Sequence, residues 1–333
     1  MTDPDDETPD GDTDLRAPFV YFGGKRSIAA DVWARLGRPK QYIEPFCGSA
    51  AVLLAAPSPA SLEVVGDTNG FIANFWRCVR YQPAEAARWA DYPVSHIDIG
   101  ARHVWLMTQR ERLGAELQAH DWPGCPQVAG YWLWGLCAWI GSGWCEWDRA
   151  AIGQVPHVSD AGMGVQAIGK VPHVSNAGRG VQAIGKIPHV GNAGSGGFLT
   201  SGGETADRWL RRLAARLERV RVIHGTWDRT LNHHYGGAET AVFLDPPYRA
   251  YERLYGTGAP VADAVCEWAR EHAHLRIALC GHAGDYDLPG WDVVAWDRGR
   301  LTYGSDKTTG SEAVWYSPAC LRPADSRQMT MDL

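Results

Sequence analysis

Two stretches in the first quarter of the chain share one arrangement of apolar and polar positions. QYIEPFCGSAAVLLAA (41–56) reads as an apolar strand, a glycine-containing turn and a helix. EVVGDTNGFIANFWRCVR (63–80) repeats it, with a short strand ending at Gly66-Asp67 and a helix that buries Ile72, Phe75, Trp76 and Val79 at helical spacing. Residues 19–84 therefore alternate as in a βαβ unit, and two such units predict a parallel, doubly wound α/β sheet.

The pattern changes twice further on. Residues 85–147 are predominantly helical and rich in tryptophan, and Trp132, Trp134 and Trp139 are expected to fill a core rather than stack on bases. From 152, three units align at a period of sixteen: IGQVPHVSDAGMGVQA, IGKVPHVSNAGRGVQA and IGKIPHVGNAGSGG. Their Pro, Gly and Asn content excludes helix and predicts extended pieces closed by glycine turns. A helix from Glu204 to Val220 then leads to four further strand candidates, RVIHGTW, AVFLDPPY, RIALCG and GWDVVAWD. A hairpin near RLTYGSDKTTGSEAVWYS closes the domain. The chain thus divides into a tail (1–18), a core domain formed from 19–84 and 204–320, and an insertion (85–203) that contains the repeats at 152–197.

The net charge of −6 over 333 residues argues against a nucleic-acid partner only until it is divided along the chain. The first fifteen residues carry seven acidic groups and no basic one, which predicts a disordered acidic tail. The rest has 32 basic residues against 38 − 7 = 31 acidic ones, so a local basic face is compatible with the acidic total. An acidic N-terminus and the absence of a long apolar run predict a cytoplasmic protein. The eight cysteines form no CxxC pair and no ladder with histidine, and His157, His173 and His189 of the repeat have no carboxylate or thiol partner nearby. No metal site and no disulfide framework are expected.

The most specific signal is the Asp245-Pro246-Pro247-Tyr248 tetrapeptide at the end of an apolar run. In a chain of this length it should arise by chance only about once in a thousand sequences. Its chemistry suits an aromatic amine, a poor nucleophile because its lone pair is delocalised into the ring. The Asp245 carboxylate and the Pro246 carbonyl can accept both amine hydrogens and draw the nitrogen towards tetrahedral geometry. The prolines hold that carbonyl, since each fixes its own φ and the first restricts Asp245. Tyr248 offers a ring face for an extruded base, a contact worth about 1–3 kcal/mol. One strand earlier, the turn around Gly48 lets backbone approach a ligand, and Asp67 is placed to accept hydrogen bonds from ribose hydroxyls. The turn is not a GxGxxG loop, which fits a cofactor without phosphate.

YFGGK at 21–25, EPFCGSAAV at 44–52 and DPPY at 245–248, in that order, resemble the Dam-like N6-adenine-specific DNA methyltransferases of phages and bacteria. The resemblance covers 19–80 and 205–318. It implies a Rossmann-like class I methyltransferase fold with S-adenosyl-L-methionine as cofactor and double-stranded DNA as partner. The inserted region then takes the place of target recognition. Through the same resemblance Tyr21, Phe22, Gly23, Gly24 and Lys25 are expected at the cofactor, and Glu44, Pro45, Phe46, Cys47, Gly48 and Ser49 at its methionine end. Asp245 adjoins both ligands. Where such enzymes often place an acid before an aromatic to hold the cofactor's adenine, this chain offers Thr226, Trp227 and Asp228, with the polar role open between Thr226 and Asp228.

In the repeat region (149–200), Arg149, Lys170, Arg179 and Lys186 stand against Asp160, a balance of +3. Gln166 and Gln182 recur at equivalent places, and a glutamine amide can read adenine bidentately in the major groove. The repeat is a candidate DNA contact. The function expected is methylation of the adenine amine by base flipping and direct methyl transfer. The alternatives are methylation of an RNA base or a protein amide, and a catalytically inactive DNA-binding relative.

Overall fold

The computed structural model describes residues 15–19, 25–92, 96–119, 121–138, 144–145, 189–190, 198–199, 205–232, 237, 239–248, 261–296 and 312–322. Seven strands form one sheet: β1 (Gln41–Glu44), β2 (Leu62–Asp67), β3 (Val220–His224), β4 (Thr240–Leu244), β5 (Arg276–His282), β6 (Asp292–Trp296) and β7 (Glu312–Tyr316). Their spatial order is 3-2-1-4-5-7-6. All neighbours are parallel except β7, which runs antiparallel to both β5 and β6. The α/β sheet is that of a Rossmann-like methyltransferase fold.

Strands β1, β2, β4, β5 and β7 are buried on both faces and read as near-continuous apolar runs whose alternate residues serve opposite cores, whereas the edge strand β6 is exposed along most of its length. Tyr42, Val65, Val222, Phe243 and Cys280 point to one face. Ile43, Val64, Ile223, Val242 and Leu279 point to the other. The first face is covered by α1 (Ala29–Leu36), α2 (Ala51–Leu54), α3 (Gly70–Tyr81), α4 (Pro83–Ala90), α5 (His96–Glu116), α6 (Pro126–Ala138) and α7 (Ala206–Leu217). The second is covered by α8 (Trp227–Leu231) and α9 (Val261–Glu271). Ile72, Phe75, Trp76 and Val79 of α3 are fully buried, as their spacing predicts.

The helices after α3 share this core. Trp132 and Trp134 of α6 are buried in the cluster that holds Phe75 and Trp76, and Phe19 meets Phe75 and Trp132 edge-to-face. Trp139 lies outside the described residues. A buried ion pair ties α7 to β2: the Arg216 guanidinium donates to both Glu63 oxygens at 2.6 and 2.8 Å.

α7 is shorter than the helix expected from Glu204 to Val220. The Thr205 hydroxyl caps it by accepting from the Arg208 amide, and β-branched Val220 already opens β3. β7 pairs with β6, while the first arm of the expected hairpin (300–309) is outside the described residues. Residues 1–14 of the expected tail and nearly all of the repeat are outside them too, whereas residues 15–18, also expected in the disordered tail, pack on the core, where Ala17 is buried and the Trp209 indole donates to the Arg16 carbonyl at 3.0 Å. The repeat's last unit contributes an antiparallel pairing of His189-Val190 with Phe198-Leu199, an extended piece as predicted. Among the described residues no helix is long and apolar enough to cross a membrane.

Candidate active site

In this strand order the connections leave β1 and β4 in opposite directions, which opens a crevice beyond their C-terminal ends, where ligands bind in doubly wound sheets. Glu44 closes β1 and Asp245 follows β4 directly. Two sequence signals from opposite halves of the chain therefore meet at one place.

The loop after β1 turns sharply. Gly48 and Ala50 both have left-handed backbone, with φ of 45° and 49°. Such a conformation suits glycine, and in a non-glycine residue it costs on the order of 1–3 kcal/mol, so the surroundings must enforce it. They do. The Trp76 indole donates to the Gly48 carbonyl at 2.9 Å, and the Cys47 amide donates to the Gly66 carbonyl at 2.9 Å. The Gly48 amide donates to Asp67 Oδ2 at 3.0 Å.

Asp67 thus joins the loops after β1 and β2, since its Oδ1 also accepts from the Asn69 amide at 2.8 Å. Burial raises its carboxyl to about 6, against the pull of the Asn69, Gly48 and Thr68 amides. Glu44 is buried, and one of its oxygens accepts from the Tyr42 hydroxyl at 2.9 Å and the Leu53 amide at 3.2 Å. Burial pushes it to about 8, with nearby Asp245 and Glu63 adding to the rise. Pro45 and Cys47 are buried, whereas Phe46 and Ser49 are half-buried.

Past β3, the Gly225 amide donates to the Asp67 carbonyl at 3.1 Å, which brings the start of α8 beside the β2 loop. Thr226 and Asp228 are both exposed. Trp227 is half-buried and, like Phe46, packs on the core of the second sheet face. Gly66 explains the close seat of α8: a Cβ there would lie 2.0 Å from the Thr230 hydroxyl oxygen.

On the other side of the crevice, Asp245 and Pro247 are partly exposed, while Pro246 and Tyr248 are buried. Lys25, only 3% exposed, donates from Nζ to Asp245 Oδ2 at 2.8 Å and stands 5.2 Å from the centre of the Tyr248 ring. The Tyr248 hydroxyl donates to Glu312 Oε2 at 3.1 Å, and that oxygen is 4.0 Å from Lys25 Nζ. The Tyr248 ring also meets His282 edge-to-face at 4.7 Å. Burial, followed by the charge of Asp245, raises the Tyr248 hydroxyl far above its ordinary value, so it remains a donor.

The structure therefore brings Lys25 to the Asp245 carboxylate and gathers Glu44–Ser49, Asp67 and Asp245 around one crevice. Tyr21, Phe22, Gly23 and Gly24 are outside the described residues, as are Lys170, Arg179, Lys186, Gln166 and Gln182. Glu312 and His282 do not stand out in the sequence. The available signal is an acid heading an otherwise apolar run, Glu312 before AVWY.

Residues 21–90 match the family model of the D12 class N6 adenine-specific DNA methyltransferases. The match contains α1 to α4 with β1 and β2, and hence the loops carrying Glu44–Ser49 and Asp67. It agrees with the resemblance to the Dam-like family carried by the motifs. No curated protein matches the chain.

Proposed function

From that match and the geometry of the crevice, we propose that the protein is an S-adenosylmethionine-dependent DNA methyltransferase that acts on the exocyclic amine of an adenine flipped out of double-stranded DNA. One observation carries the reading: Asp245 directly follows the strand beside β1, so the amine-accepting pair and the 44–49 loop open into the same crevice.

The residues present suit such a cofactor. They offer a carboxylate for hydroxyl groups at Asp67, half-buried rings at Phe46 and Trp227, and a buried carboxyl at Glu44 that a cationic ligand would ionise. When bound, S-adenosylmethionine supplies an electrophilic methyl group on a sulfonium. Asp67 takes the ribose hydroxyls, Trp227 with Thr226 or Asp228 borders the adenine, and the 44–49 loop holds the methionine end.

Asp245 and the Pro246 carbonyl accept the two hydrogens of the target amine, and Tyr248 stacks on its ring. Lys25 occupies that position in the free protein, since it puts an N–H donor on the Asp245 carboxylate and a cation on the Tyr248 ring. It yields Oδ2 when the amine arrives. No base need act beforehand, because the methylated nitrogen is acidic and sheds its proton afterwards. Positioning supplies much of the acceleration. The repeat, through Lys170, Arg179, Lys186, Gln166 and Gln182, engages the DNA.

The test is transfer of labelled methyl from the cofactor to unmethylated double-stranded DNA, RNA and protein in parallel. Label is expected in DNA alone, as N6-methyladenine. Label confined to RNA or protein, or none at all, would overturn the reading.

A further inference from the structure

Strand β7 is buried along its whole length and begins with its one acidic residue, Glu312. Glu312 stands opposite His282 of β5 in the antiparallel register. A carboxylate so deeply placed is costly unless bonded, and two of its neighbours belong to the methyl-transfer site. Its Oε2 accepts from the Tyr248 hydroxyl at 3.1 Å and lies 4.0 Å from Lys25 Nζ. His282 meets the same tyrosine ring edge-to-face. The axis of the ring is therefore held at its backbone end by the proline-locked segment and at its hydroxyl end by Glu312, while His282 and Lys25 pack against the ring and limit its rotation about that axis.

We propose that Glu312 is a positioning residue for methyl transfer, acting through the Tyr248 hydroxyl to fix the ring on which the target base stacks. This rests on the reading of Tyr248 given above. The hydroxyl then has a function that stacking alone would not assign to it.

The experiment is a double-mutant cycle on the full chain, read as the single-turnover rate of methyl transfer to unmethylated DNA. Tyr248→Phe and Glu312→Ala should each slow transfer by about tenfold, because a slightly misplaced stacking partner disturbs the attack geometry. The double variant should be no slower than the worse single one, since both remove the same bond. Glu312→Gln keeps a carbonyl acceptor for the hydroxyl and should restore most of the rate. It also serves if Glu312→Ala does not fold. Cofactor affinity should stay within about twofold of the parent throughout, as these residues serve the base and not the cofactor.

Multiplying effects in the double variant, a parental rate in Glu312→Ala, no rescue by glutamine, or parallel loss of cofactor binding would each overturn the proposal. A second readout does not need activity. With tyrosine labelled at Cζ, the NMR line that disappears in Tyr248→Phe should move in Glu312→Ala and return towards its place in Glu312→Gln. A line that stays fixed in Glu312→Ala would refute the anchor, whereas a line that moves in a protein transferring no methyl group would reject the enzymatic reading alone.

Discussion

The two sides of the crevice hold their carboxylates differently. On the β1–β2 side, Asp67 and Glu44 are met by neutral donors, the Gly48, Asn69 and Leu53 amides and the Tyr42 hydroxyl, and burial raises them to about 6 and about 8. On the β4–β7 side, Asp245 and Glu312 share the ammonium of Lys25. The carboxyls of the first side hold their protons above their ordinary values, and a cationic ligand there would draw those protons off. The second carries its own cation, which under the proposed function a neutral amine would displace. Charge complementarity suits the first ligand, and shape with hydrogen bonding suits the second.

The largest effect expected from separating the two sides is at Asp245. Asp245→Ala should lower methyl transfer by about a hundred- to a thousandfold, a loss of the size seen when a group that stabilises the transition state is removed. Its cofactor affinity, measured by calorimetry, should change little. Equal loss of both would mean that the sides are not separate.

Lys25→Met comes next, because it leaves Asp245 and Glu312 facing each other without their cation. Breaking a fully buried pair costs about 3–5 kcal/mol. With the Asp245 side chain 18% exposed, a loss of about 1–3 kcal/mol is expected in urea unfolding. An unchanged midpoint would show that the ammonium is not needed there.

Two pH effects belong to the first side. The raised Glu44 carboxyl keeps a proton in the folded state that the unfolded chain loses above its ordinary value of 4.5. The folded state then binds more protons, so stability falls as pH rises from 4.5 to about 8 and levels off above that. Glu44→Gln should flatten that slope in unfolding curves taken across the window. For Asp67, protonation below about 6 removes its accepting charge, and cofactor affinity should drop as pH falls through that value, by at most about tenfold per unit. Asp67→Asn should bind weakly and without that dependence. A pH-independent dissociation constant in the parent would detach Asp67 from the ribose.

Effects in the repeat should fall on DNA binding and not on either side of the crevice. Replacing Lys170, Arg179 and Lys186 by Ala should weaken DNA binding across sequences and lower the salt slope by about 0.9 for each phosphate no longer neutralised. Changing Gln166 or Gln182 should instead alter preference at one base pair, by about 1–3 kcal/mol. Deletion of 152–197 that leaves target choice, affinity and salt dependence intact would remove the repeat from DNA engagement.

Much of the fold is legible in the sequence because its signals are local. The helical spacing of Ile72, Phe75, Trp76 and Val79 is a property of the segment itself, and so is the apolar run before Asp245-Pro246-Pro247-Tyr248. What escapes is partnership across the chain. Lys25 meets Asp245 from 220 residues away, and Tyr248 meets Glu312 across 64. The second pairing depends on the antiparallel register of β5 with β7, which neither strand spells out alone. The place of Lys25 in YFGGK points to the cofactor, and only tertiary structure brings it to the carboxylate.

Gly66 has one more consequence. Its missing methyl group sets how far α8 stands from the sheet, because the Thr230 side chain fills the space that any larger residue would claim. Trp227 rides on the same short helix. A lone alanine at 66 would act as a shim, lifting the helix and tilting the indole it carries. The seat of that helix on the sheet is gauged from beneath, by an atom the protein does not have.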